Sequence, residues 1–268
     1  MLIPRVLTAL VLLPLMLAAL FVFPPLAWSI FSALVLGIAL WEYARMARLA
    51  GRAQLAYLGC SALLALLAWR LGAHLPGWAH VAVLLFWLLL VPLWLSRHWT
   101  VCGGWTSWLL GWVLMFPAWF AMLDWRANAN NQAALQLLAI MGLVWIADIA
   151  AYFSGKAFGR HKLAPSISPG KSWEGVVGAL LAVALYVLAV EHAGWLSHPL
   201  ASWLLLLLAL PLTLVSVSGD LLESWFKRCA SIKDSSRLLP GHGGVYDRID
   251  SLIAVLAVSN ALRALSGW

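Results

Sequence analysis

Nine nearly uninterrupted apolar runs, at positions 6–23, 25–40, 55–69, 79–95, 105–123, 133–153, 176–190, 200–217 and 251–265, constrain this chain more than any other feature. A helix of about 20 apolar residues crosses the hydrocarbon core of a bilayer. In lipid, backbone N–H and C=O groups must be satisfied internally, which favours helices. Several runs are shorter than a perpendicular crossing needs, so their true ends lie in flanking residues or within protein. Charged residues are only 10% of the chain and mean hydropathy is +0.92, against about 25% charged in an average soluble domain. Those figures exclude a soluble globule and a disordered chain alike. The expected fold is all-α, a polytopic integral membrane protein of about nine transmembrane helices with its polar active site on the cytoplasmic side. No repeat or low-complexity linker divides it, so 1–268 reads as one membrane domain: hydrophobic helices over 1–132, catalytic helices and loops over 133–268. The first run follows Arg5 without a clear A-x-A cleavage site and reads as a retained helix.

With the N-terminus inside, 14 of the 17 Lys and Arg residues fall on the inner face, leaving only Arg70, Arg126 and Arg263 outside. That asymmetry orients the N-terminus inward and, with nine spans, the C-terminus outward. The net charge of +7 is scattered between apolar spans, so it reads as membrane topology and not as a nucleic-acid surface. Cys60, Cys102 and Cys229 have no C-x-x-C spacing and read as small packed hydrophobes. Trp28, Trp41, Trp78, Trp99, Trp125, Trp173 and Trp195 stand at run ends, where an amphipathic ring suits the headgroup layer. Glu42, Asp124 and Glu191 read as solvated boundary residues without a role.

Seven of the ten acids fall in two inner segments, 148–174 and 218–250. In the second, a helix over 220–228 would align Asp220, Ser224 and Lys227 on one face with Glu223 at its edge. The run Leu239, Pro240, Gly241, His242, Gly243, Gly244 then forms an open turn whose amides suit phosphate oxygens. Asp247 and Asp250, three apart at the start of the last span, could join the site of Asp220, and hard carboxylate oxygens suit Mg²⁺. The plainer alternative is that these acids only pair with neighbouring Lys and Arg in a solvated loop; acids at a membrane edge favour the functional reading. In the first segment, Asp148 lies inside an apolar helix, so it should face the bundle interior and a cation or donor, or else be a hydrogen-bonded internal acid. The sequence Ser168 to Glu174 has the marks of a helix start, with Ser172 or Glu174 as cap and an anion-attracting N-terminus.

The run from Ser224 to Asp250 resembles the phosphatidate cytidylyltransferase family pattern S-x-x-K-R-x(4)-K-D-x(5)-P-G-H-G-G-x-x-D-R-x-D, matched over 27 residues. The segment AYFSGKAFGRHKLAPSISPGKSWEG is similar to a second block of that family; Ile149 and Ala150 just before it, Gly170 within it, and Ser236 and Arg237 in the first run depart from the family's usual residues. The resemblance implies condensation of CTP with phosphatidic acid at the cytoplasmic face of the bacterial inner (plasma) membrane, giving CDP-diacylglycerol and pyrophosphate. It implies Mg²⁺, with a second cation as a candidate companion, and a homodimer as a candidate assembly. On this reading Asp220 and Asp247 hold the metal, and Ser224 and Lys227 complete the catalytic set. Arg228, Lys233 and Arg248, with Gly243 and Gly244, meet the departing pyrophosphate. Lys171 and Ser172 hold another phosphate, and Asp148, Glu174, Asp234, His242 and Asp250 complete the substrate-binding set. The rival readings are a CTP-dependent polyprenol or phytol kinase and, in a different class, a membrane transporter relaying charge through Asp148 and Asp220.

Overall fold

The computed structural model describes residues 2–101, 103–127, 130–196 and 200–267. The expectations for Cys102 and for the C-terminal Trp268 fall outside the described residues. Each apolar run becomes a helix: α1 Leu2–Phe21, α2 Pro25–Met46, α3 Gly51–Arg70, α4 Gly77–Arg97, α5 Trp105–Trp125, α6 Asn131–Phe158, α7 Trp173–His192, α8 Ser202–Ala230 and α9 Tyr246–Ser266. All but α1 are long and apolar enough to cross a membrane, and α1 carries a shorter apolar stretch, Leu10–Phe21. Helix α4 contains one π-helical turn, Phe86–Leu90. Pro25 opens α2 at a position where the missing N–H costs nothing. Asn130 caps α6 by accepting from Ala133 N at 2.8 Å.

One hydrophobic core runs through both halves of the chain, from Leu20, Tyr43 and Tyr57 to Leu114, Leu137, Val183, Leu222 and Val255. Helix α9 is the most enclosed, packed against α8, α5 and α4, with Ile253 to Val258 buried without interruption. Helices α6 and α7 form the most extensive pair. At Gly219 a methyl group would lie 2.9 Å from Asp250 O and 3.1 Å from the Ser251 Cα, so glycine is what lets α8 touch α9. That contact sets Asp220 beside the first turn of α9.

The polar segments are more ordered than the sequence suggests. Helix α8 continues through 218–230, leaving only 231–245 as loop, and α6 carries Asp148 on to Phe158. The remaining 159–172 holds the one non-helical element of the described residues, an antiparallel ribbon of β1 Lys162–Ala164 and β2 Ser168–Ser172. Ser172 then caps α7, accepting from Gly175 N at 3.2 Å. Two of the run-end tryptophans face the protein interior: Trp28 and Trp125 are buried, and Trp28 Nε1 donates to Met122 O at 3.0 Å. Asp124 is no solvated boundary acid either, since it accepts from His74 Nδ1 and Asn260 Nδ2, each at 2.9 Å. Glu42 is a larger departure, described below.

Candidate active site

The C-terminal ends of α2, α6 and α8, the N-terminus of α9 and the ribbon converge at one end of the bundle. Two carboxylate clusters form there. The first centres on Asp247, one residue into α9, whose side chain is 3% exposed. Its Oδ2 accepts from Ser235 N at 2.9 Å, Ser235 Oγ at 2.9 Å and Gly244 N at 2.8 Å, and its Oδ1 accepts from Lys227 Nζ at 2.7 Å. An acid in the first turn of a helix, reaching back to the N–H just before it, is favoured by both hydrogen bonding and the helix dipole. Lys227 also pairs with Glu223 at 2.5 Å, one turn earlier on α8. Glu223 is almost fully buried, so Lys227 serves two buried acids.

The second cluster centres on Asp220, one to two turns deeper on α8. Its Oδ2 pairs with Lys171 Nζ at 2.7 Å, reaching across from β2, and its Oδ1 accepts from Ser224 Oγ at 3.3 Å. Asp148 and Asp250 lie within charge–charge range of Asp220 and of Lys171, and Asp148 is also within range of Arg248. Neither acid makes an ion pair, although Asp250 accepts from Ser251 N at 2.7 Å. Asp148 and Arg248 are exposed, and Arg248 forms no ion pair. Lys233 is exposed in the 231–245 loop and also forms none.

The other expected residues divide between scaffold and open surface. Arg228 Nε donates to Ile167 O at 3.2 Å and so ties α8 to the ribbon turn, while His98 Nε2 and Ser166 Oγ join the same turn to α4 at 2.9 Å. Glu174 is engaged by His161, through Nδ1 at 2.7 Å and the backbone N–H at 3.2 Å. Ser172 spends its oxygen on the helix cap. Asp234 is exposed, whereas His242 Nδ1 is buried with no hydrogen-bond partner. Gly243 and Gly244 are explained by close approach. Gly243 has φ +82°, and a Cβ there would come 2.6 Å from Asp247 Oδ2; a Cβ on Gly244 would collide with Ser235 and Glu42. The Gly244 amide is already given to Asp247. Lys227 points to Glu223 and Asp247, while the cation on Asp220 is Lys171.

Sequence reasoning passed over Glu42, Ser235 and Ser236, which are buried and bonded to one another in the Asp247 cluster. Glu42 stands near the C-terminal end of α2, where the helix dipole disfavours an anion. An acid placed against that preference was the signal available.

The fit to a divalent ion rests on the acids around Asp220. Among the described residues, no three His, Cys, Asp or Glu side chains form a metal-ligand group. Mg²⁺ is usually bound by one or two carboxylates together with substrate phosphates and water, so it needs no such cage. Asp220, with Asp148 and Asp250 around it and Lys171 as its sole ion-pair partner, suits that donor chemistry. Asp247, with both oxygens occupied by protein donors, suits it less.

The profile of the cytidylyltransferase family matches residues 3–266. The chain belongs to the cytidylyltransferase family. Within it, the phosphatidate cytidylyltransferase of Pseudomonas aeruginosa is 44% identical over 270 residues, covering 98% of this chain and 97% of its own. The Haemophilus influenzae protein of the same name is 51% identical over 45% of this chain and 42% of its own. That of Brucella suis is 41% identical over 64% of this chain and 59% of its own.

Proposed function

We propose that this integral membrane protein transfers the cytidylyl group of CTP to phosphatidic acid, giving CDP-diacylglycerol and pyrophosphate. The observation that carries the reading is the partly exposed Asp220–Lys171 pair within charge range of Asp148 and Asp250, in a chain similar along its whole length to a relative named for that activity. A phosphatidate oxygen forms a bond to the α-phosphorus of CTP, and the bond from that phosphorus to the oxygen bridging to the β-phosphate breaks. A phosphomonoester is largely dianionic at neutral pH, with its second pKa near 6, so the nucleophile needs no general base. The groups around Asp220 accord with this: cations and carboxylates, with Ser224 orienting Asp220 through its hydroxyl. Lys171, Lys233 and Arg248 neutralise the phosphates and the charge gathering on the leaving pyrophosphate. Mg²⁺, held by Asp220 with Asp148 or Asp250, would screen repulsion between the two anionic substrates. The acyl chains of phosphatidate stay in the bilayer while its headgroup enters from the interface.

CTP labelled separately at the α- and γ-phosphate, supplied with phosphatidate to the detergent-purified protein, tests the reaction. The α label is expected in lipid and the γ label in pyrophosphate; γ label in lipid would instead mean a kinase. We further propose that this end of the bundle faces the cytoplasm in a bacterial inner membrane with the N-terminus inside, on the strength of the 14 to 3 charge asymmetry. In a protein freed of its native cysteines, Arg237→Cys should resist an impermeant outside thiol reagent and Ala73→Cys should react with it. Outside labelling at position 237 would reverse the topology.

A further inference from the structure

Glu42 belongs to α2, nearly two hundred residues before the motif, yet its carboxylate is completely buried in the motif loop. Its Oε1 accepts from Ser236 Oγ at 2.5 Å and Val245 N at 3.0 Å; its Oε2 accepts from Tyr246 N at 2.5 Å and Ser235 Oγ at 3.1 Å. Two of these donors are the free amides at the start of α9, so an acid from one helix caps the N-terminus of another. Ser235 Oγ is also within 2.9 Å of Asp247 Oδ2, so its single proton lies between the two carboxylates. One turn further along, Arg45 Nη1 donates to Ser235 O at 3.1 Å, and just past α2 Arg48 Nη2 donates to Cys229 O at 2.7 Å. Together these contacts pin both ends of the loop that joins α8 to α9.

We propose that Glu42 is a positioning residue for cytidylyl transfer: by holding Ser235, Ser236 and the first amides of α9, it fixes the first turn of α9, which carries Asp247, Arg248 and Asp250. The proposal rests on the reaction assigned above, and it gives the N-terminal half of the chain a part in the active site. The geometry makes glutamine an informative replacement. Each carboxylate oxygen takes one serine hydroxyl and one backbone N–H. A hydroxyl can rotate to accept from the amide NH₂ of Gln, but a backbone N–H cannot. Whichever way the amide is turned, either Val245 N or Tyr246 N faces a donor.

The test compares wild type with Glu42→Gln, Glu42→Asp and Ser236→Ala, each purified in detergent, by amide hydrogen exchange over 234–248 and by cytidylyl transfer. In Glu42→Gln the amides of Val245 and Tyr246 should exchange faster, and kcat should fall on the order of a hundredfold, the cost of misplacing reacting groups by about an ångström. The KM for CTP should move little, because Lys171 and Asp220 are held by other elements. Glu42→Asp, which keeps both acceptor oxygens, should recover part of kcat. If Glu42→Gln does not fold, Ser236→Ala, which removes one donor of four, should shift both readouts in the same direction by less. Unchanged exchange, or faster exchange with wild-type kcat per folded molecule, overturns the proposal. If the wild-type protein itself transfers no label, the assigned reaction fails, and the exchange measurement still decides whether Glu42 holds the loop.

Discussion

The two carboxylate clusters at the polar end of the bundle sit on the same pair of helices, α8 and α9, and differ in how fully they are answered. Around Asp247 each oxygen has a donor from the protein, Glu42 is likewise held, and Glu223 has one oxygen paired with Lys227. Around Asp220, among the described residues, only Lys171 makes an ion pair, while Asp148, Asp250 and Arg248 make none. Buried polar groups that are fully satisfied specify a structure. Charges left without an ion-pair partner are what an incoming triphosphate and phosphomonoester can meet without first breaking protein contacts. The difference separates the frame of the site from its working surface, although residues of the family motif stand in both.

If that division is right, the largest loss of turnover without loss of fold comes from Asp220→Asn. The substitution keeps the volume and removes one charge from the open cluster, and a fall on the order of 10²–10³ in kcat is expected for a group acting on developing phosphate charge. The melting temperature in detergent should stay close to wild type, because Asp220 is 31% exposed and its partner Lys171 can be hydrated. Near-normal transfer of α label by folded Asp220→Asn would move the reacting phosphates elsewhere.

Asp247→Asn should separate the clusters from the other side. The new amide must turn NH₂ either toward Ser235 N and Gly244 N or toward Lys227, and any of these places donor against donor. Breaking a buried pair by changing one partner costs about 3–5 kcal/mol, so stability and activity should fall together, with a clear drop in melting temperature. Lys227→Ala is expected to act in the same way, since it strands both Glu223 and Asp247. An Asp247→Asn protein that melts like wild type while losing turnover would show that Asp247 belongs with Asp220 on the working surface.

The helices were legible because lipid imposes one rule on every span, and each apolar run at 25–40 through 251–265 became a helix with ends displaced by several residues. The displacement is largest in α8, where the polar sequence from Ser218 to Ala230 continues the helix into the loop region: Glu223 and Lys227 stabilise it one turn apart, a pairing hidden by the attention drawn to Asp220. The motif residues were legible as a set, and the i, i+4 pairing of Asp220 with Ser224 was correct in geometry. Their division of labour was not, because it depends on which residues from distant helices reach them. Lys171 arrives from the ribbon and Glu42 from α2, and neither partner can be read from local spacing. Trp28 and Trp125 fail as interface markers for a similar reason, since neighbouring helices cover them.

The smallest expected effect lies at the opposite end of the bundle, where charged groups again tie helices together. Asp124 accepts from His74 and Asn260, Arg263 stacks on Trp125, and Arg126 donates to Leu20 O and Phe23 O at 2.7 Å each. These contacts resemble the closed cluster in being satisfied, but the His74 side chain is 74% exposed. Solvent screens such a pair, and the entropy of holding the ring opposes it, so His74→Ala should cost at most about 1 kcal/mol of stability. Cytidylyl transfer per folded molecule should be unchanged, because none of these residues touches α8 near Asp220 or the loop 231–245. Asp124 keeps its bond from Asn260 in that variant, which holds α5 to α9 without the histidine. A tenfold loss of kcat in folded His74→Ala would mean that α9, which runs from the Asp124 contacts to Asp247, transmits changes along its length. The closed and open clusters would then have to be treated as parts of one responsive unit.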